Sequence, residues 1–164
     1  MLIGMSDPQH PEPISGRTDA PFADAPLSQA VFRLARLHKG VAAQLLRDTG
    51  LRPGQELVLM TLWESGPQRL VDLVQSLDSD APTMTRSIAR LEKAGLVARS
   101  RSAQDGRVVI VQATEKSLPL RPQVDAAWAA LEQLTVGAAS AARQAQLLQA
   151  LRELESHLGS ADKY

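Results

Sequence analysis

The sequence has 164 residues, of which 44% are hydrophobic, and this length allows one compact domain with its own core rather than two. Its 18 basic and 18 acidic residues give a formal net charge of zero, so any signal for a nucleic-acid partner must be local. Cysteine is absent, which excludes a disulfide framework, a thiolate zinc site and a thiol-based redox switch in this chain. No run approaches the length of about 18 apolar residues that a membrane span needs, and we expect a cytoplasmic protein without a membrane partner.

The N-terminal segment, residues 1–26, contains five of the ten prolines and has neither helical nor alternating apolar spacing. We expect a flexible tail there. From Leu27 onward, apolar residues recur at helical spacing, and Gly50 offers a stop. This pattern predicts a long first helix over residues 27–50.

Two further helices are predicted in the next stretch. Pro53 suits the first turn of a helix whose apolar residues run from Leu57 to Trp63 and which Gly66 and the following proline close. Apolar residues between Leu70 and Leu77 predict a short third helix.

The segment from Asp78 to Pro82 supplies turn, cap and first-turn residues for a fourth helix, which Gly95 ends. Met84, Ile88 and Leu91 fall on one face of that helix. The third and fourth helices therefore form a helix-turn-helix.

Two β-prone segments follow at once. Residues 96–99 and 107–111 favour strands, and residues 102–106 between them are turn-like. A helix-turn-helix followed by a hairpin predicts a winged helix, in which the second helix fits the major groove and the hairpin tip reaches the minor groove. Six basic and two acidic residues lie between Ala81 and Arg107, so the local charge agrees with that assignment.

The C-terminal part is helical in pattern. Thr114 suits the cap of a fifth helix, but Pro119 and Pro122 would each remove a backbone donor, so this helix either kinks there or begins near Leu120. A sixth helix carries an apolar seam at a four, three, four spacing, formed by Leu147, Leu151, Leu154 and Leu158. A seam of this kind requires a partner. The fold class is mainly α with a small β-hairpin.

The middle of the chain resembles the multiple-antibiotic-resistance regulator (MarR) family. The residues that carry the resemblance are Leu73, Leu77, Thr83-Met84-Thr85-Arg86, Leu91-Glu92-Lys93-Ala94-Gly95-Leu96-Val97, Asp105-Gly106-Arg107 and Thr114-Glu115-Lys116. It implies a first dimerisation helix at 27–50, a winged helix-turn-helix lobe at 51–113 and C-terminal dimerisation helices at 114–164. It further implies a homodimer that binds a palindromic operator in double-stranded DNA as a repressor.

Two positions depart from the family pattern. Gly106 stands where the family often has arginine between the wing aspartate and arginine, which removes one DNA contact at the tip. Ser117 stands where glycine is usual and is soon followed by Pro119, so we expect an irregular entry to the fifth helix.

Hydroxyl and guanidinium groups on the fourth helix and the hairpin are the candidate DNA-binding groups, because they suit base edges and phosphate oxygens. These candidates are Thr83, Thr85, Arg86, Ser87, Arg90, Arg99, Arg101, Asp105 and Arg107. The resemblance places Arg107 in the minor groove and pairs Asp105 with an arginine that steadies the wing. For Arg99 and Arg101, which alternation puts on one face of a strand, either phosphate contact or pairing with Asp105 remains open.

The resemblance also implies a small aromatic or anionic effector in a cleft between the DNA-binding lobe and the dimerisation helices. The candidate ligand-binding residues are Phe32, His38, Met60 and Trp63, each of which also suits ordinary packing or, for His38, exposure to solvent.

Two other classes of function compete with this interpretation. A winged-helix module that binds protein rather than specific DNA is the alternative, and the local basic excess argues against it. Metal-ligand spacing, a glycine-rich phosphate loop and a nucleophile motif are absent from the sequence, so we expect no metal, no cofactor and no enzymatic activity.

Overall fold

The computed structural model describes residues 24–161, so nearly all of the predicted N-terminal tail lies outside the described residues. The described part has two units, one ending at Ala35 and one beginning at Arg36. The first helix, α1 (Pro26–Leu45), contributes to both. All other helices and all strands belong to the second unit.

The second unit contains five further helices and three strands. The helices are α2 (Gln55–Ser65), α3 (Leu70–Ser76), α4 (Ala81–Lys93), α5 (Arg121–Val136) and α6 (Ala141–Ala161), and the strands are β1 (Gln68–Arg69), β2 (Val97–Arg101) and β3 (Val109–Ala113). Two 3₁₀ turns, Arg47–Thr49 and Glu115–Leu120, precede α2 and α5. None of the described helices has the length and apolarity that a membrane crossing requires.

The start of α2 and the end of α1 differ from the sequence prediction. Helix α1 stops at Leu45, and the chain continues into the 3₁₀ turn that Gly50 caps. The φ of 70° at Gly50 is a left-handed conformation that glycine adopts without strain. Pro53 is not in the first turn of α2, because that helix begins at Gln55. The Gln55 side chain accepts a hydrogen bond from the Arg52 backbone N–H at 2.9 Å and so closes the preceding loop.

The helix-turn-helix is present as predicted. After α3, the backbone N–H of Ser79 donates to the Val74 carbonyl at 3.1 Å, and Asp78 adopts a φ of 44°, which reverses the chain. Aspartate is among the few residues that tolerate this conformation. Pro82 then sits in the first turn of α4, where its missing N–H costs nothing.

The three strands form one antiparallel sheet in the order β1-β3-β2. In the hairpin, Val97 pairs with Ala113 and Arg101 with Val109, so the second strand begins two residues later than predicted. The short strand β1 was not predicted. It pairs Gln68 with Val111 and Arg69 with Ile110, along the edge of β3 that β2 leaves free.

One apolar core joins the elements of the second unit. It joins α2, α3, α4, the sheet and α5, and its most buried members are Leu59, Leu73, Ile88, Val111 and Val124. The predicted inner face of α4 is confirmed, since Met84, Ile88 and Leu91 are all buried. Each large apolar side chain buried here contributes about 1.5–3 kcal/mol relative to exposure.

Glu56, in the first turn of α2, is a buried acidic residue. Only 3% of its surface is exposed, and Oε2 has no hydrogen-bond partner among the described residues. Burial raises the pKa of its carboxyl above the ordinary value, because a charged carboxylate is poorly solvated there.

The entry to α5 is irregular, as the sequence predicted. Pro119 lies in the 3₁₀ turn, and α5 begins at Arg121 with Pro122 in its first turn. Of the two alternatives, a kink or a start near Leu120, the structure has the second. Both prolines avoid the helix interior, where each would break a backbone hydrogen bond.

Candidate nucleic-acid interface

The outer face of α4 carries the predicted recognition residues. Arg86, Arg90 and Lys93 are spaced three or four apart, on the side of α4 opposite its buried residues, and all three are exposed. Thr83 and Ser87 flank them, exposed and half-buried respectively. The Arg86 guanidinium donates to Thr83 Oγ1 at 3.1 Å, so these two side chains form one polar surface near the helix N-terminus.

Thr85 and Arg90 are placed differently from that pair. The Thr85 hydroxyl donates to the Ala81 carbonyl at 2.8 Å, so its proton is engaged and only its oxygen remains as an acceptor. Arg90 lies near the other end of α4, where it lines a cleft of about 480 Å³ together with Arg52 and Lys116. The N-terminal half of α4 therefore holds the more compact set of groups suited to base edges.

Asp80 sets the start of the recognition helix. Its carboxylate accepts a hydrogen bond from the Thr83 backbone N–H at 2.7 Å, which satisfies one of the free donors of the first turn. The side-chain and backbone hydrogen bonds from Thr83 hold the pKa of Asp80 below its ordinary value.

Replacing Asp80 by alanine is expected to lower the thermal unfolding midpoint at neutral pH by about 2–8 °C, since the helix loses its cap. Because the pKa of Asp80 is depressed in the folded state, this contribution is present above the unfolded value, about pH 3.9, and is lost as the pH falls through the folded value. Circular dichroism melts between pH 7 and pH 2 would measure the effect. The matched control is Asp80→Asn, which keeps a cap without a titrating group. If the unfolding midpoint of Asp80→Ala stays below that of the wild type by the same amount in acid, the carboxylate cap is excluded.

Residues 102–108 form the loop at the tip of the hairpin. The Asp105 carboxylate accepts from the Arg107 backbone N–H at 2.9 Å, and the Val108 N–H donates to the Asp105 carbonyl, also at 2.9 Å. Aspartate commonly stabilises a tight turn in this way. The implied pairing of Asp105 with an arginine side chain is wrong for the described structure, where its partner is backbone. Arg107 is exposed in this loop.

Arg99 forms an ion pair that the sequence did not predict. Its Nε and Nη2 both donate to Glu92 Oε2, at 2.9 and 2.5 Å, and these hydrogen bonds lower the pKa of Glu92. Pairing of Arg99 with Asp105 is therefore wrong. Arg101, also in β2, donates to the Arg107 carbonyl at 3.3 Å and has no acidic partner within residues 24–161.

The 3₁₀ turn before α5 and the residue that precedes it donate hydrogen bonds to the C-terminal end of α4. Thr114 Oγ1 donates to the Gly95 carbonyl at 2.6 Å, and Lys116 Nζ donates to the Ala94 carbonyl at 2.8 Å. Ser117 is completely buried; it donates to the Thr114 carbonyl and accepts from Trp63 Nε1 at 2.9 Å. Ser117, which stands where glycine is usual, thus links α2 to the turn that contacts the end of α4. Sequence spacing could not predict this hydrogen bond, because Trp63 and Ser117 are far apart in the chain.

The four candidate effector residues differ in exposure. Met60 and Trp63 are partly buried on α2 against the core, and His38 is partly exposed on α1. Phe32, also on α1, is 71% exposed. Trp63 therefore has a defined structural role, its hydrogen bond to Ser117, whether or not a ligand binds beside it.

The predicted apolar seam on α6 is exposed. No side chain within residues 141–160 is buried, and Leu147, Leu151 and Leu158 expose 43%, 44% and 68% of their surface. A lone helix gains little stability in water from its own hydrogen bonds. An exposed apolar face of this kind is typical of an interaction surface.

Comparisons with known proteins agree with this geometry. The model of the family described as the MarR family matches residues 51–109. The transcriptional regulator TtmR of Methylorubrum extorquens is 32% identical over 111 residues, covering 68% of this chain and 57% of TtmR. This chain thus spans little more than half the length of that relative.

Solved structures show the same fold. BpsR of Bordetella bronchiseptica, described as having its DNA binding regulated by 6-hydroxynicotinic acid, superposes with a TM-score of 0.73 at 26% identity, covering 79% of this chain and 92% of BpsR. A MarR variant of E. coli in complex with operator DNA has a TM-score of 0.76 at 22% identity, covering 83% of this chain and 98% of that one.

Proposed function

The chain belongs to the MarR family, and on that premise we propose that it is a transcriptional regulator that binds an operator in double-stranded DNA as a homodimer. The single observation that carries this proposal is the outer face of α4, where Thr83, Arg86 and Arg90 are exposed beside a hairpin whose tip carries Arg107. In this assignment α4 enters the major groove and Arg107 the minor groove. The function is one of binding in the cytoplasm rather than of catalysis, and its direction is repression.

The homodimer rests on the exposed leucines of α6 and on the apolar side chains that α1 exposes, among them Leu34 and Leu37. Covering both helices with a second copy removes this apolar surface from water. It also places two recognition helices on one duplex, which gives a two-fold symmetric site.

We further infer that a small aromatic or anionic effector lowers DNA affinity, by analogy with BpsR, whose DNA binding is regulated by 6-hydroxynicotinic acid. The candidate residues remain Phe32, His38, Met60 and Trp63. Trp63 on α2 donates a hydrogen bond to Ser117 in the 3₁₀ turn before α5. Thr114, at the start of that turn, donates to the Gly95 carbonyl just after α4, so these two contacts offer a physical route from α2 to the recognition helix. An effector that favours one of two arrangements of this turn would shift operator affinity.

Selection of bound duplexes from a random library is expected to enrich a two-fold symmetric sequence with half-sites about one helical turn apart. On the enriched duplex, the logarithm of the binding constant is expected to fall against the logarithm of salt concentration with a slope of about −5 or steeper, because several phosphates are neutralised by each dimer. Fluorescence anisotropy over a salt series measures the slope, and a scrambled duplex of equal length is the control. No enrichment together with a flat salt response would instead favour a winged-helix module that binds protein.

A further inference from the structure

The wing is tied to the recognition helix by the ion pair between Glu92 and Arg99. Two nitrogens of Arg99, Nε and Nη2, donate to one carboxylate oxygen of Glu92, and neither side chain is buried, with 39% of Arg99 and 36% of Glu92 exposed. Glu92 lies in the last turn of α4, and Arg99 lies in the middle of β2. The pair therefore joins two elements that are both expected to touch DNA.

Glu92, the acidic member of this ion pair, lies in a part of the chain that its neighbours hold in place. The carbonyls of Ala94 and Gly95, directly after α4, accept hydrogen bonds from Lys116 and Thr114, while Leu91 is buried in the core. Glu92 is consequently held at a defined place on the lobe. The hairpin is held less firmly beyond that point, because residues 98–101 of β2 are only half-buried or exposed.

Arg101 provides an internal comparison. It lies two residues after Arg99 in β2, so both side chains leave the same face of the sheet. In the register of the hairpin, Arg99 is opposite Val111 and Arg101 is opposite Val109, nearer the tip. Arg99 has a carboxylate partner, and Arg101 has none in the described part of the chain.

We propose that Arg99 is a positioning residue which, through Glu92, fixes the angle of the wing against α4, and that Arg101 is the arginine of this strand that contacts a DNA phosphate. The charge of Arg99 is already paired with the Glu92 carboxylate, which weakens its attraction for a phosphate, whereas Arg101 has only the neutral Arg107 carbonyl as a partner and keeps its full charge for DNA. The effect on DNA rests on the proposed function; the tie between helix and wing does not.

The decisive experiment compares Arg99→Gln, Glu92→Gln, Arg101→Gln and the charge-conserving swap Glu92→Arg/Arg99→Glu on the selected duplex over a salt series. Arg99→Gln and Glu92→Gln are each expected to weaken binding by about three- to fivefold, the range of an exposed ion pair, with the salt slope unchanged. The swap is expected to restore most of the affinity. Arg101→Gln is expected to weaken binding and also to reduce the slope by about one for each phosphate that the variant no longer neutralises.

Hydrogen exchange of the free protein gives a readout that needs no DNA. Arg99→Gln is expected to speed exchange of the β2–β3 amides, and the swap to restore it. Arg101→Gln, which removes only the 3.3 Å hydrogen bond to the Arg107 carbonyl, is expected to change it much less. A lowered salt slope in Arg99→Gln, tighter binding in Glu92→Gln, or a swap variant worse than either single variant would overturn the proposal. Wild-type protein that selects no duplex would instead contradict the proposed function, while the exchange data would still decide whether the ion pair holds the wing.

Discussion

Replacing Arg86 by alanine is expected to lower the affinity of the protein for its selected duplex by about 5- to 150-fold, the cost of about 1–3 kcal/mol that follows removal of a hydrogen-bonded base partner. Arg86 is exposed on the outer face of α4, and its hydrogen bond to Thr83 holds the guanidinium near the N-terminal half of the helix. That half is the part of a recognition helix which reaches base edges. Fluorescence anisotropy with wild-type and variant protein measures the change in affinity.

The role of Arg86 is resolved by repeating the duplex selection with the variant. A base contact predicts relaxed preference at one position of each half-site, whereas a phosphate contact predicts uniform weakening and a shallower salt slope. Arg47→Ala is the matched control, because it removes an exposed arginine from the 3₁₀ turn that precedes the helix-turn-helix. Unchanged affinity in Arg86→Ala would mean that the recognition surface lies elsewhere.

Replacing Leu151 by glutamate is expected to convert the proposed homodimer into single chains and to lower operator affinity by about 100-fold or more, because each half-site must then be bound separately, without the gain of linked binding. Leu151 lies in the exposed leucine seam of α6, and a charge there must be desolvated if a second chain covers it. Sedimentation velocity measures the mass, and anisotropy measures the affinity.

The control for this variant is Ser156→Glu, which introduces the same charge on the same helix. At about 100° per residue, Ser156 projects from the side of α6 opposite the leucine seam and is exposed. Its mass and affinity are expected to match wild type. If Leu151→Glu also keeps the mass of two chains, α6 is not the dimer surface, and the seam must pack against something else.

The order and type of the helices were predictable because their signals are local. Asp80 caps α4, Pro82 occupies its first turn, and Met84, Ile88 and Leu91 repeat at helical spacing, all within one short segment. The hairpin was likewise predictable from two β-prone segments around a polar turn. The outer face of α4 follows from the same periodicity, since a helix that buries one face exposes the opposite one.

Features that join distant parts of the chain were not predictable. Strand β1 is two residues long and exists only because β3 lies beside it. Spacing alone could not name the partner of Arg99, because both Asp105 and Glu92 are near in sequence, and the fold selects Glu92. A strand of two residues is too short to show a periodic signal. An arginine with several acidic residues near it in sequence pairs with the one that the folded backbone brings closest.

The sequence by itself therefore determined the helix-turn-helix, the hairpin, the basic outer face and the exposed seam, since caps, turns and apolar periodicity act over a few residues. Only the tertiary structure decided that α5 starts after a 3₁₀ turn, that Ser117 accepts from Trp63, and that Arg99 is held by Glu92. The physical reason is that hydrogen bonds and ion pairs act over about 3 Å, so they form between whichever groups the packed core brings together.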